Sequence, residues 1–469
     1  MKHVTGENRD QTSMFPLTLE DLVQHTHPCR VIDAFVEGLP LAALGFAHAV
    51  VKRTGRPPYN PGSLLKLYLY GYLNRIRSSR CLERECHRNV EVMWLLGRLS
   101  PDHKTIANFR AHNGEALNRA AAELVRFLRQ AGVVKGDWVA IDGSKFRAVA
   151  SRKAVNDPKS LERTQARADK RMAEYLAQLD EADRGEQPPD FDEGKVRQAL
   201  EVLNQRKCHA QERAAVLAKE GQSHEVETEP ESRLMRIGPA YNLQIAVDGG
   251  SGIIVAHTLT NDATDNRQLQ PMAEAAARAM GVDKLDVLAD KGYSNGAQAA
   301  ELEAQHILAH VPANRAVNSS GDGGLLDRSE FIYSVETDTL QCPGGATLRR
   351  KGNERKDKRV MYQAKAEDCE KCPLKPTCTT SRRRTVGRHV HDNALQRMDE
   401  RATIEAMRRR RCTVEHPFGT LKMGILGHPR LLVRGLAKAA GELAIATTVW
   451  NLKRAMSILG TGRLQAQLA

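Results

Sequence analysis

The residues with most chemistry to offer are three carboxylates set among cations. Asp142 closes the apolar run Trp138-Val139-Ala140-Ile141, and Asp290 closes Leu285-Asp286-Val287-Leu288-Ala289. Each is followed by a loop containing glycine. An apolar run buries a strand, while its end stays at the edge of the sheet, where ligands of α/β proteins collect. Carboxylates from two such strands can converge on hard divalent cations, which prefer oxygen ligands and complete their shells with water and substrate phosphate. Asp248, Asp283 and Asp286 are of the same type but read differently; Asp248 heads a turn and Asp286 lies mid-strand. The third carboxylate is Glu415. Arg411, Glu415 and Lys422 follow at i, i+4 and i+11, which at about 100° per residue is one narrow helical face. An acid flanked by two cations can hold a metal while the cations grip phosphate. The bland alternative is an exposed Arg–Glu pair of little weight. Pro417 removes one hydrogen bond and bends the axis, so the shared face requires a helix that carries on through it.

A second constellation is built of thiols. Cys342, Cys369, Cys372 and Cys378 give C-x26-C-x2-C-x5-C, with Pro343-Gly344-Gly345 and Pro373 beside them. A C-x2-C chelate with two further thiolates suits tetrahedral Zn²⁺, and the flanking glycines and prolines permit tight turns. A structural zinc is the expectation, with unligated thiols the alternative. The other five cysteines read as small buried apolar residues.

The elements that must position these groups change character along 469 residues. Helical periodicity runs from Leu17 to about Gly132, and Tyr68, Tyr70, Tyr72 and Trp94 within it read as packing residues. A strand signal follows at Asp137–Asp142. Residues 151–232 carry 14 Lys/Arg and 18 Asp/Glu and read as a solvated helical hairpin inserted into something else. The strand pair YNLQIAVDGGSGIIVAHTLT comes next, turning at Asp248-Gly249-Gly250-Ser251-Gly252. A helix, a strand, a helix and a strand complete the pattern. That order predicts a mixed sheet with helices on its faces.

Composition narrows the partner. Lys+Arg number 70 against 57 Asp+Glu, a formal charge of +13 with pI ≈ 9.3. Such a balance favours an anionic partner, most simply nucleic acid. The charge is concentrated: residues 341–411 hold 20 Lys/Arg against 9 Asp/Glu, and residues 52–110 hold 12 against 4. No stretch approaches the ~20 apolar residues of a membrane span, and the first residues lack a signal peptide's apolar core, so a reducing cytosol is expected. There is no P-loop; the cluster Gly321-Asp322-Gly323-Gly324 follows no strand–helix pattern. No G-x-S-x-G elbow supports a serine hydrolase.

Taken in order, these segments resemble a DDE-type bacterial insertion-sequence transposase. Asp142 in AIDGSKF matches the family's first Asp and Asp290 in LADKGY its second, while Arg411, Glu415 and Lys422 match the R-x3-E-x6-K signature. SSRCLERE, WLLG and PDHKTIANFR resemble the helical domain that precedes catalysis in one bacterial branch. The wider signature has a Tyr three residues before the Arg; here that position is Arg408. The resemblance implies an α/β fold, an RNase H-like mixed-sheet core with an N-terminal all-α domain, a helical insertion and a Cys-rich insertion. The implied division is 1–135 for the helical DNA-end-binding domain, 136–150 for the first core strand, and 151–232 for the helical insertion. Residues 233–340 continue the core, 341–380 form a zinc-knuckle-like insertion, and 381–469 supply the helices with the catalytic Glu.

The implied activity is metal-dependent cleavage at insertion-sequence ends and strand transfer into target DNA. Two Mg²⁺ or Mn²⁺ ions would be held by Asp142, Asp290 and Glu415, and phosphates by Arg411, Lys422, Lys145, Arg80 and Arg110. The implied partners are double-stranded transposon ends and target DNA, with a homodimer on DNA and no membrane, in a prokaryotic cytoplasm at the nucleoid. A catalytically inactive DNA-binding derivative and a related RNase H-like endonuclease are the alternatives; metal-dependent nicking and strand transfer separate them.

Overall fold

The computed structural model describes residues 18–51, 53–54, 57–184, 192–221, 223–313, 325–352 and 358–469. Lys52 and Arg56 of the first basic patch, part of the second at 353–357, and the 321–324 glycine cluster fall outside these.

After a short 3-10 turn at Glu20–Leu22, the described residues open with six α-helices: α1 (Pro28–Glu37), α2 (Pro61–Leu73), α3 (Ser79–Arg88), α4 (Val90–Leu96), α5 (His103–His112) and α6 (Gly114–Gln130). Local chemistry sets their ends. The Asn60 side chain accepts the Gly62 N–H ahead of Pro61, Asp102 accepts the N–H groups of Lys104 and Thr105, and Gly97 closes α4 at φ 58°. Tyr68, Tyr70 and Tyr72 are buried, as expected of packing residues, and the Tyr68 hydroxyl donates to the Ile106 carbonyl at 2.8 Å.

Strand β1 (Trp138–Arg147) opens the main sheet. A two-residue ribbon, β2 (Val155–Asn156) with β3 (Glu225–Val226), stands at the neck of a helical hairpin, α7 (Pro158–Asp183) and α8 (Glu193–Glu220). The hairpin's small core comprises Leu161, Ala210 and Leu217, as the surplus of charge in its sequence requires. Then follow β4 (Arg233–Met235), β5 (Gly238–Asp248), β6 (Ile254–Thr260), α9 (Leu269–Met280), β7 (Leu285–Leu288), α10 (Gly296–Ala304) and β8 (Ile307–His310). The spatial order is β6-β5-β1-β7-β8, with β4 also on the outer edge of β5. β5 pairs antiparallel with β1 and β6, while β1, β7 and β8 run parallel. The mixed sheet is the one the element order predicts, because a glycine turn permits an antiparallel neighbour and a crossover helix a parallel one. At the turn, buried Asp248 accepts the Ser251 N–H at 2.8 Å, and Gly252 takes φ 74°.

The cysteine-bearing insertion is larger than 341–380. It is an antiparallel meander of β9 (Ile332–Ser334), β10 (Thr339–Gln341), β11 (Thr347–Lys351), β12 (Arg359–Gln363) and β13 (Thr385–His389), with short helices α11 (Ala366–Glu370) and α12 (Lys375–Cys378). Leu340, Leu348, Val360, Tyr362 and Val386 alternate inward to give it a separate core.

The chain ends in α13 (Asp392–Arg401), α14 (Ile404–Gly419), a π-helical stretch at Thr420–Ile425, α15 (Leu436–Leu459) and α16 (Thr461–Leu468). α14 passes through Pro417 without breaking. α15 is apolar because it is buried against α6, α2 and β6. Among the described residues no helix is long and apolar enough to cross a membrane. The principal core runs unbroken from Val23 through the sheet to Leu464, so packing does not stop at residue 135.

Candidate active site

Register brings the two aspartates together. β1 and β7 pair in parallel at Trp138 with Asp286, Val139 with Val287 and Ala140 with Leu288. Two residues farther along each chain stand Asp142 and Asp290, side by side on the same edge. β7 has ended by then, but β1 has not. β5 continues to pair with it as far as Arg147, so Asp142 lies mid-strand rather than at a strand end. The Asp142 carboxylate accepts the Gly143 N–H at 2.8 Å, and Asp290 accepts the Gly292 N–H at 2.8 Å.

Arg410, on α14, lies between them. Its guanidinium is 2.7 Å from Asp142 and 3.5 Å from Asp290; the three side chains are 13 %, 20 % and 47 % exposed in the order Arg410, Asp142, Asp290. Burial raises the Asp142 pKa to about 6, Arg410 and the Gly143 N–H hold it down, and the charges of Asp290 and Asp265 raise it further. Lys422 donates to the Ser144 hydroxyl at 2.5 Å and lies over the Phe146 ring. Burial lowers its pKa against the pull of Asp142.

A polar layer backs this edge. Asp265 accepts from Asn242 and Gln244, both at 2.7 Å, and from Lys145 at 3.3 Å, while the Tyr293 hydroxyl donates to Gln244. Gly143 has no room for a side chain: a Cβ there would stand 2.3 Å from the Gln244 amide nitrogen and 2.6 Å from an Asp265 oxygen. Sequence reasoning missed Arg410, Asp265 and Gln244. Arg410 was one of four equivalent arginines, and Asp265 sits in a polar loop with no periodicity to mark it.

The helical face expected of Arg411, Glu415 and Lys422 divides. Arg410 and Val414 turn inward, while Arg411 and Glu415 are exposed. Glu415 lies about 140° around the helix from Arg410. The wider i→i+5 winding of the π-helical stretch then takes Lys422 off the Arg411–Glu415 face. Lys422 thus joins the aspartates, whereas Glu415 makes no hydrogen bond or ion pair among the described residues.

Arg110 is not placed to meet a phosphate. It is 6 % exposed, donates to the Tyr72 hydroxyl at 3.2 Å and the Arg77 carbonyl at 3.3 Å, and serves the interior. Arg80 is exposed, and Arg84, His87 and Arg88 share its face of α3 at i+4, i+7 and i+8. The loop before α3 is tied to the chain beyond Lys422, since Arg75 donates to the Gly424 carbonyl at 2.9 Å and Arg77 to those of Leu426 and Arg430 at 2.7 Å.

No group of three or more His, Cys, Asp or Glu among the described residues stands in the arrangement of a closed metal site. The aspartate edge nonetheless fits a hard divalent cation by its donor chemistry. A largely buried carboxylate faces a second one, and the guanidinium nearest them leaves its Nε and one terminal nitrogen without an aligned hydrogen-bond acceptor.

The four expected zinc cysteines line one cavity of ≈ 20 Å³, together with Leu348, Ala364 and Arg384. The Cys342 turn is closed by the Gly345 N–H to the Cys342 carbonyl at 2.9 Å, and the Ala346 N–H points at the Cys342 sulfur at 3.3 Å. The Arg384 N–H approaches the Cys369 sulfur at 3.5 Å.

Two family models match the chain. A Transposase domain (DUF772) matches residues 17–112, and a Transposase DDE domain matches residues 238–452. The second spans β5 to α15 and includes Asp290, Glu415 and Lys422; Asp142 lies outside both. No curated protein and no solved structure matches the chain.

Proposed function

The chain belongs to the DDE transposases of insertion sequences, and from that premise we propose that Asp142, Asp290 and Glu415 are its catalytic acids. The family's enzymes cleave and join DNA with divalent metal, and the mixed sheet is the RNase H-like core on which that chemistry is built. The observation that carries the residue assignment is the alignment of Asp142 with Asp290 across the parallel β1–β7 pair.

Asp142, Asp290 and Glu415 would hold Mg²⁺ or Mn²⁺, which would supply the Lewis acidity that turns water or a 3′ hydroxyl into a nucleophile and stabilises a leaving oxygen. The protein's own groups do the rest. Asp142 is held rigidly by β5 and the Gly143 N–H. Lys422, fixed by Ser144 and Phe146, meets a non-bridging phosphate oxygen, and Lys145, steadied by Asp265, lies alongside. Glu415 and Arg411 stay exposed on α14; Arg411 can take a phosphate there, and Glu415 must turn towards the aspartates to complete the metal site. The exposed face of α3, with Arg80 and Arg84, grips the transposon end and is coupled to the catalytic helix through Arg75 and Arg77. Two ends must be joined, so the working unit is a homodimer on DNA, and the site of action is the cytoplasmic nucleoid.

Nicking of DNA carrying the element's terminal repeats, with Mg²⁺, tests this directly. Asp142→Asn, Asp290→Asn and Glu415→Gln should each reduce cleavage to background while leaving the DNA gel shift intact. Full cleavage by any one of them removes that residue from the site.

A structural zinc on Cys342, Cys369, Cys372 and Cys378 belongs to the same reading. Its support is the shared cavity and the N–H groups directed at two of the sulfurs. Purified protein should carry about one equivalent of zinc that Cys369→Ser with Cys372→Ser removes; less than about half an equivalent in the parent chain counts against it.

A further inference from the structure

We propose that Arg410 is the resident cation of the metal-free site: its guanidinium occupies the space between Asp142 and Asp290 and must withdraw before a divalent ion can bind. This rests on the reading of the two aspartates as metal ligands.

Four consecutive arginines, Arg408 to Arg411, leave α14 in four directions. Arg408 is exposed beside Glu405, Arg409 lies over the Trp138 ring at 4.5 Å, and Arg411 faces solvent. Arg410 alone enters the aspartate edge. One terminal nitrogen touches both carboxylates, at 2.7 and 3.5 Å. A divalent ion held by both carboxylates would need the space that this nitrogen fills.

The contact is close but poorly directed. Neither that nitrogen nor Nε has an aligned acceptor. An arginine built into a permanent pair uses its fork, two parallel N–H groups on two oxygens, as Arg328 does on Asp392 in this same chain. Arg410 is held by charge and burial, without the directional bonds that would make its removal expensive. A guanidinium keeps its charge at any working pH, so it leaves by rotation rather than by losing a proton. Once displaced, it remains on the helix that carries Glu415 and can turn to the DNA phosphate. In the metal-free protein it cancels repulsion between two adjacent carboxylates, one of them largely buried, and so holds the edge in shape.

Mn²⁺ binding followed by electron paramagnetic resonance, together with thermal unfolding in chelator, tests the proposal without reference to cleavage. Arg410→Met preserves the apolar bulk, and Arg410→Gln is the alternative if that variant does not fold. Removing the guanidinium should tighten Mn²⁺ binding at least about fivefold, lower the unfolding temperature in chelator, and enlarge the rise in that temperature on adding Mn²⁺. Arg410→Lys, which retains a charge, should stay near the parent affinity. Unchanged or weaker Mn²⁺ binding in the neutral variants overturns the role of Arg410. Asp142→Asn is the separate control: if it binds Mn²⁺ as the parent does, the reading of the metal site fails instead.

Discussion

Arg410 and Arg411 are adjacent in sequence, yet one step of helical rotation puts the first against two aspartates and the second in solvent. Titrating groups separate in the same way according to what surrounds them. His257, on β6, bonds Asn118 at 2.9 Å, and burial lowers its pKa to about 4. The folded protein therefore keeps this ring neutral where the unfolded chain would protonate it. Its contribution is complete above about pH 6.5 and is lost as pH falls towards 4, by up to roughly 3 kcal/mol. Asp142 has the opposite sign: its raised pKa makes the metal-free fold gain stability as pH falls through 6 towards 4. Urea unfolding of the parent and of His257→Gln at pH 7 and 4.5 separates the two. The variant should lose most of the histidine's share of acid sensitivity; equal pH slopes would show that His257 is not the group responsible.

Among the elements, α15 depends on small residues where it crosses α6. A Cβ on Gly441 would stand 2.6 Å from the Gly114 Cα, and a Cβ on Gly114 would meet the Ala437 carbonyl oxygen at 2.6 Å. The crossing of α6 and α15 is therefore a backbone-to-backbone contact. Gly441→Val should cost about 1–3 kcal/mol or more, because neither helix can yield without disturbing the core. A denaturation midpoint equal to the parent's would mean that the helices separate easily. α14 illustrates the opposite case, in which a local irregularity is put to use. Pro417 removes one N–H, and the π-helical stretch that follows turns Lys422 towards β1. The Arg411–Glu415–Lys422 spacing was legible in the sequence, but the side of the helix on which each would lie was not. An ideal 100° step does not describe a stretch with a π-turn in it.

At the scale of the whole molecule, the N-terminal helices and the catalytic sheet fold as one body. Glu442, 0 % exposed on α15, is bonded at 2.7 Å by Arg77 and accepts the Leu432 N–H at 2.8 Å. Glu442→Ala would strand the Arg77 charge and should cost about 3–5 kcal/mol in global unfolding. A chain lacking residues 1–130 should show no cooperative thermal transition, since α15 would lose α2, α5 and α6 together; a sharp melt would identify a separable domain. End binding is better examined by Arg80→Gln with Arg84→Gln, which should weaken DNA binding and flatten its dependence on salt while leaving the melt unchanged.

The sequence by itself determined the element order, the mixed sheet, the turn at Asp248 and the solvated hairpin, and it singled out the two aspartates proposed for the site. All of these follow from local patterns: apolar period, turn chemistry and charge density act within a few residues. It also identified four cysteines that the fold gathers around one cavity; the Cys369-x2-Cys372 pair is a local pattern, whereas Cys342 is brought to it by the meander. Only the tertiary structure decided which arginine meets Asp142, that Arg110 is interior, that β1 runs past its carboxylate, and that Asp265 and Gln244 back the site. Those outcomes depend on register across β1, β5 and β7 and on the rotation of α14 against them. Such contacts join residues from about twenty to more than two hundred positions apart, and no periodicity in the chain encodes which partner each will find.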